Sequence, residues 1–321
     1  MIHLLFWLAA TLPFTNANVQ NQSAAAGLEP TFRALVAHQS EAAWIAYDVA
    51  AVRGPRLGCQ FVSHDGWSDA GVVHLEPPDH AIVLFRVAAN AVERIRVLSP
   101  DCEIDAGGLA VHWLTDVKPA ESIALLANYA NDRNMSENSS VAAIAMHADP
   151  AADSVLDRFA APSQPEALRN RAMRWLGSAR GRHGIETLKN LLANQTAPDV
   201  RRQAISAIGS SREPEAQQIL LAAARGDRDA RVRSQAVSLL SRQPVPNLAG
   251  VLGGIADSDP DSEVSKRAVN SLASLSDGTG IPELIRLVKT SKNAEVRKEA
   301  MRALSRAHDE RATAFLEQVL R

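Results

Sequence analysis

Apolar positions in the second half of the chain recur in register every 32 residues. Leu156, Leu188, Leu220, Leu252, Leu284 and Leu316 stand in one column, and Phe159, Leu191, Ala223, Ile255, Leu287 and Val319 in a second, three residues on. The other half of the unit gives Ala172, Ala204, Ala236, Ala268 and Ala300, each followed directly by Met173, Ile205, Val237, Val269 or Met301. Four residues after the alanines come Leu176, Ile208, Leu240, Leu272 and Leu304. Spacings of three and four residues mark one face of a helix, and breakers such as Gly184, Pro198, Pro214, Pro246, Pro260 and Gly280 separate the halves. Each unit is therefore expected to be two short antiparallel helices. The alanine column lets the paired helix approach closely, and no unit buries its apolar face alone, so stability must come from stacking. Ile144 and Pro150 keep the columns further back, and "KPAESIALLANYA" supplies an earlier first helix from Pro119. The expected fold is mainly α: a right-handed α-solenoid of six helix pairs from 119 to 307 with a terminal helix, the array spanning 119–321.

Residues 41–118 have another texture. "WIAYDVAAV", "CQFVS", "GVVHLE", "AIVLFRVA", "VERIRVLS" and "LAVHWLTD" are short, apolar or alternating runs bounded by Gly, Pro, Asn and Asp, the signature of strands. In "VERIRVLS", Val92, Arg94 and Arg96 alternate with Glu93, Ile95 and Val97. A small β-rich domain is expected here, with Trp44, Tyr47, Trp67 and Trp113 in its packing. Residues 18–40 read as a linker holding one short helix, "EPTFRALVAHQ".

The first residues, "MIHLLFWLAATLPF", are apolar but too short for a comfortable membrane span, which needs about 20 residues. Thr15 and Ala17 fit the small-residue positions of a signal-peptidase site, so 1–17 is expected to be a signal peptide cleaved after Ala17. An uncleaved N-terminal membrane anchor is the alternative, since the run lacks Lys and Arg. Secretion, or export to a periplasm, then puts Cys59 and Cys102 in an oxidising compartment, where an isolated pair most often forms a disulfide. Their spacing fits no zinc pattern.

The segments "DVRRQAISAIG", "RVRSQAVSLL" and "EVRKEAMRAL" resemble the second helix of HEAT repeats. The period is shorter than the usual HEAT spacing of about 40–47 and resembles the compact phycobilin-lyase-type repeats. The segment "ERIRVLSPDCEIDAGGLAVHWLTDVKPAES" is similar to secreted bacterial proteins that carry such repeats behind an N-terminal β-rich domain. The resemblance implies a stacked-helix fold and leaves function open. Deoxyhypusine hydroxylases of this repeat class bind iron through His-Glu pairs, and no His here is followed by Glu. Bilin attachment, a cytoplasmic reaction, conflicts with a secretion signal.

Charge refines the picture only slightly. The net charge is −2, with −5 on residues 18–118 and +3 on 119–321, which is far from the clustered basic patch of a nucleic-acid binder. No G-x-x-x-x-G-K-[ST], H-E-x-x-H or G-x-S-x-G occurs, so neither a cofactor nor an enzymatic role is expected. Arg169, Arg201, Arg233 and Arg297 form a column interrupted by Ser265. In one reading each arginine pairs with an acidic residue at a repeat junction, such as Asp199, Asp229, Glu263 or Glu295, and registers the stack. In the other, the column and its neighbours make a basic groove for an acidic partner. The expected function is a secreted or periplasmic scaffold that binds a protein partner along the inner face formed by the second helices. The candidate contacts are Arg171, Arg174, Arg202, Gln203, Lys266 and Lys298. No nucleic acid, and no membrane span after cleavage, is expected. The alternative is an enzymatic, metal or small-ligand site in the β-rich domain around Cys59, His64, Asp65, His74, His80 and His112, with the repeat array as accessory.

Overall fold

The computed structural model of the 321-residue chain describes residues 12–53, 57, 59, 79–132, 135, 137–194 and 197–320. The chain divides into two compact units, 1–168 and 169–321. The strands expected in "GVVHLE" and beyond Cys59 in "CQFVS", with His64, Asp65, Trp67 and His74, lie outside the described residues.

The first unit holds strands β1 (Phe14–Thr15), β2 (Asn18–Ser23), β3 (Ala43–Ala50), β4 (His80–Ala88), β5 (Ala91–Leu98), β6 (Ile104–Asp105), β7 (Ala110–Thr115) and β8 (Glu137–Asn138). Its helices are α1 (Leu28–His38), α2 (Pro119–Tyr129), α3 (Ser140–Met146) and α4 (Ala151–Ala160). Six strands form one sheet in the order β2-β7-β3-β4-β5-β8, with β3, β4 and β5 antiparallel and β2, β3 and β7 parallel. The central strands β3 and β4 are covered on both faces, which explains their nearly unbroken apolar runs. One face carries Tyr47 beside Phe85, and Phe85 meets Phe32 of α1 and Tyr129 of α2 edge to face. The opposite face gathers Ala46, Ile82, Leu84, Leu98, Val111 and Trp113 with Cys102 and Ala106. Cys102 is joined to Cys59 by the expected disulfide, with Cα atoms 5.1 Å apart.

Two features of this unit were invisible in the sequence pattern. Strand β2, "NVQNQS", is polar and almost wholly exposed, because it is an edge strand with little apolar surface to cover. Strand β1 pairs in parallel with β6, and Phe14 packs edge to face on Trp113. Leu12, Phe14 and Ala17 all pack against the second core cluster, so the end of the presumed leader is built into the fold.

A buried chain of polar groups ties α2 and α3 to the sheet. The Tyr47 hydroxyl lies 2.8 Å from Ser122 Oγ, and His147 Nε2 lies 2.9 Å from the same oxygen. His147 Nδ1 is 2.7 Å from the Ala143 carbonyl, an acceptor only, so Nδ1 carries the proton and Nε2 accepts from Ser122. All three side chains are buried, and burial pushes the Tyr47 hydroxyl well above its ordinary value.

Helix α1 starts on Gly27, at φ 125°, and its first N–H is satisfied from outside: Leu28 N–H donates to Glu121 Oε2 of α2 at 2.7 Å. That bond, with Lys118 beside it, holds the Glu121 carboxyl below its usual range. A depressed folded-state value means the contribution is full above the unfolded value near pH about 4.3 and is lost as pH falls through the folded value. Glu121→Gln should therefore lower stability at neutral pH, and the gap to the parent chain should close as pH falls through the folded value of Glu121. Urea unfolding of both proteins at neutral and at acid pH checks this, and a gap unchanged by acid would count against it.

The second unit opens with α5 (Glu166–Ala179). Four hairpins follow: α6 (Gly181–Asn194) with α7 (Pro198–Ile208), α8 (Glu215–Gly226) with α9 (Ala230–Leu240), α10 (Leu248–Ser258) with α11 (Ser262–Ala273), and α12 (Ile281–Thr290) with α13 (Ala294–Arg306). Helix α14 (Glu310–Leu320) ends the series. In the first unit α2 and α3 pack on each other and both touch α4, while in the second the four hairpins are followed by α14. Second helices pack on second helices, α7 on α9, α9 on α11 and α11 on α13. Leu188, Leu220, Leu252 and Leu284 are 0% exposed, and so are Ala172, Ala204, Ala236, Ala268 and Ala300. Close helix contact also explains two glycines. A Cβ on Gly184 or Gly280 would stand 1.9 or 2.0 Å from the carbonyl oxygen of Leu176 or Leu272. The columns weaken at α14, where Leu316 is half-buried. Val319 is 52% exposed, while α14 buries Ala312 and Phe315, because it has the α12–α13 hairpin alone to pack against.

The turns inside the hairpins repeat as well. Asp227, Asp259 and Ser291 each accept the N–H two residues on, at 2.8, 2.9 and 3.2 Å, and Asp229, Asp261 and Asn293 cap the next helix. Arg201 grips Asp227 through Nε and Nη2 at 3.2 and 2.9 Å. Arg233 grips Asp259 at 2.8 and 2.8 Å while donating to the Asp227 carbonyl at 2.8 Å. Arg201 and Arg233 are thus two buried rungs between successive repeats, whereas Arg169 and Arg297 are half-buried, Arg169 donating to Gln203 and Arg297 to the Ser291 carbonyl. The partners of Arg201 and Arg233 are not those expected from local sequence. Asp199 pairs with Arg202 and Glu263 with Lys266 on their own helices, and Asp229 caps α9. The true partners lie 26 residues downstream. One rung is missing: Ser265 stands in the arginine column and Ser291 in the aspartate column, and Ser265 reaches only the Asp259 carbonyl, at 3.4 Å.

Candidate functional site

Outside the core columns, the second helices of successive hairpins line up polar side chains. Across α7, α9 and α11 these form an open cleft of about 340 Å³, lined by Arg202, Arg231, Ser234, Gln235, Ser238, Asp261, Glu263 and Arg267 with Ala230. The helical repeat puts it there. Gln235, three residues after buried Val232, stands about 60° round the helix from it, at the edge of the buried face, where it reaches Ser206 of α7.

The cleft is close to charge-balanced. Arg202 Nη2 is 3.2 Å from Asp199, Arg231 Nε is 3.5 Å from Asp229, and Lys266 Nζ is 2.9 Å from Glu263. Glu263 holds Lys266 above its ordinary value. Asp199 and Glu263 lie in the first helical turn, favoured by the helix dipole, and meet a cation three residues on, while Asp229 is the N-cap of α9 and meets Arg231 two residues on. Neutral groups complete the lining, and Gln235 Nε2 donates to Ser206 Oγ at 3.0 Å.

Of the six contacts expected from sequence, Arg202 lines this cleft. Gln203 accepts a hydrogen bond from Arg169 Nε at 3.1 Å, and Lys266 stands beside the cleft through Glu263. Arg171 and Arg174 belong to α5 and Lys298 to α13, away from it. Arg231, Ser234, Gln235, Ser238 and Arg267 were not singled out. A signal existed for four of them, because Gln235 and Arg267 share a 32-residue column with Arg171 and Gln203, Ser234 with Arg202, Lys266 and Lys298, and Ser238 with Arg174. Arg202→Ala should change stability by less than ~0.5 kcal/mol, since its side chain is 48% exposed and its ion pair is a surface one. Thermal unfolding of the variant measures this.

In the β-sheet unit, His80 Nδ1 lies 2.7 Å from Asp79 Oδ1, and His112 Nε2 lies 3.2 Å from Gln39 Oε1, partial burial lowering His112 from its ordinary value. His80 pairs with Ala50 and His112 with Ile45, five residues apart along β3 and so on opposite faces of the sheet. The two imidazoles cannot share a ligand. Among the described residues no group of three or more His, Cys, Asp or Glu could hold a metal ion. No helix among them is long and apolar enough to cross a membrane.

A family model for HEAT repeats matches residues 152–241 and 251–321. No curated protein matches the chain. Among solved structures it is similar to human deoxyhypusine hydroxylase in complex with glycerol, at 16% identity over 62% of this chain and 90% of that one, with a TM-score of 0.32. It is also similar to Cex1p, at 16% identity over 63% of this chain and 43% of that one, with a TM-score of 0.32. The complex of CpcE and CpcF of phycocyanin lyase from Nostoc sp. PCC7120 matches at 17% identity over 64% of this chain and 88% of that chain, with a TM-score of 0.29. None of these three likenesses bears on what this chain binds. With the two matched stretches covering half of the sequence and the buried columns recurring through them, the chain belongs to the HEAT-repeat family.

Proposed function

We propose that the protein is a non-enzymatic, extracytoplasmic scaffold whose protein partner seats on the second-helix face of the repeats. The observation that carries this reading is the cleft across α7, α9 and α11, where chemically varied side chains stand over uniform core columns. Stacked repeats offer extended surfaces of this kind. The Cys59–Cys102 disulfide supports an oxidising compartment. The packing of Phe14 on Trp113 favours a form that keeps its N-terminal run as an anchor over one released by cleavage after Ala17.

A photo-crosslinking residue placed at Ser234, in the cleft, should capture a partner in the native compartment, and one at exposed Gln218 on α8 should not. Capture from Gln218 alone, or from neither site, would reject the placement. N-terminal sequencing of the protein from that compartment distinguishes the anchored from the cleaved form.

A further inference from the structure

Resting on that reading, the structure assigns Arg267 as the anchor for an Asp or Glu side chain of an extended polypeptide lying in the cleft. Three guanidinium groups line the cleft, and two already face carboxylates, Arg202 on Asp199 at 3.2 Å and Arg231 on Asp229 at 3.5 Å. Arg267 is exposed and has no ion pair among the described residues. The two carboxylates that line the cleft are also engaged. Asp261 Oδ1 accepts the N–H groups of Glu263 and Val264 at 2.9 and 3.2 Å, and Glu263 holds Lys266 at 2.9 Å. The unmet electrostatic demand is therefore one cation, on a side chain whose planar fork matches a carboxylate in bidentate fashion.

The remainder of the lining argues for a polypeptide over a small anion. Ser234 and Ser238 stand along α9 in the lining as neutral groups able to donate to or accept from a peptide backbone. The cleft also crosses three helices of successive hairpins, a span that a single compact anion would leave mostly empty.

Nuclear magnetic resonance of the full chain at low ionic strength tests the assignment, with a capped oligoglutamate peptide as probe. Capped oligoglutamine and inorganic phosphate serve as controls. Oligoglutamate should shift the Arg267 Nε–H resonance and the amides of Ser234 and Ser238, and both controls should leave them in place. Arg267→Gln should weaken the peptide roughly fivefold, the scale of an exposed ion pair, and Ser238→Trp, which fills the cleft, should abolish binding. Binding blocked by Ser238→Trp but indifferent to Arg267→Gln overturns the anchor and leaves the cleft as the docking face. Indifference to both substitutions, or no binding, removes support from the cleft as well. Phosphate shifts matching those of the peptide would make Arg267 a free-anion site and overturn the polypeptide assignment.

Discussion

Arg233→Ser should destabilise the protein by about 3–5 kcal/mol, the range for removing one partner from a buried ion pair. The Arg233 and Asp259 side chains are 10% and 4% exposed, and two hydrogen bonds of 2.8 Å join them. Without the guanidinium, Asp259 stays buried with the Asp261 N–H, at 2.9 Å, as its remaining donor. Much of the loss comes from that stranded charge and less from the attraction itself. The double variant Arg233→Ser with Asp259→Ser should accordingly recover most of the stability. The protein already uses this pair one repeat later, where Ser265 and Ser291 occupy the equivalent positions and Ser291 Oγ still accepts the turn N–H at 3.2 Å. Urea unfolding of the parent, the two single variants and the double variant forms a complete cycle. A double variant as unstable as the singles would place the stability in the ion pair.

Leu220→Ala should cost about 2–5 kcal/mol, the range for truncating a large core residue and leaving a cavity. Leu220 is 0% exposed and lies between Ala216 and Ala224 on the buried face of α8, where neighbouring alanines cannot expand to fill the space. Its effect should exceed that of Arg202→Ala several-fold, and equal losses would mean that the helical faces are exchanged.

The contrast between those positions shows what the sequence could carry. Leu220 and its column were legible because burial acts on one residue at a time and repeats it at a constant period. The partner of Arg233 was not legible, because the candidates weighed were acidic residues near each arginine, while Asp259 reaches it across a hairpin. Strand β2 escaped notice for the opposite reason. With β7 on one side only, "NVQNQS" needs no alternating apolar face. The buried Tyr47–Ser122–His147 chain was also hidden, since its members come from three elements far apart in sequence. The columns put the cleft's polar residues on the second helices, and that Arg267 has no ion pair among the described residues could be recognised only after every neighbouring carboxylate had been placed.

The missing rung has a mechanical meaning. Arg201 and Arg233 clamp successive turns from within the protein, where dissolved ions scarcely reach them. Between the hairpins α10–α11 and α12–α13 the charged contact is instead Arg286 with Asp257, at 3.7 Å, with side chains 39% and 33% exposed. Dissolved salt screens a contact of that kind. The repeats therefore contain a seam whose stiffness falls as ionic strength rises. It borders the hairpin α10–α11 that closes the cleft, so the segment that carries Arg267 ends against a salt-sensitive joint.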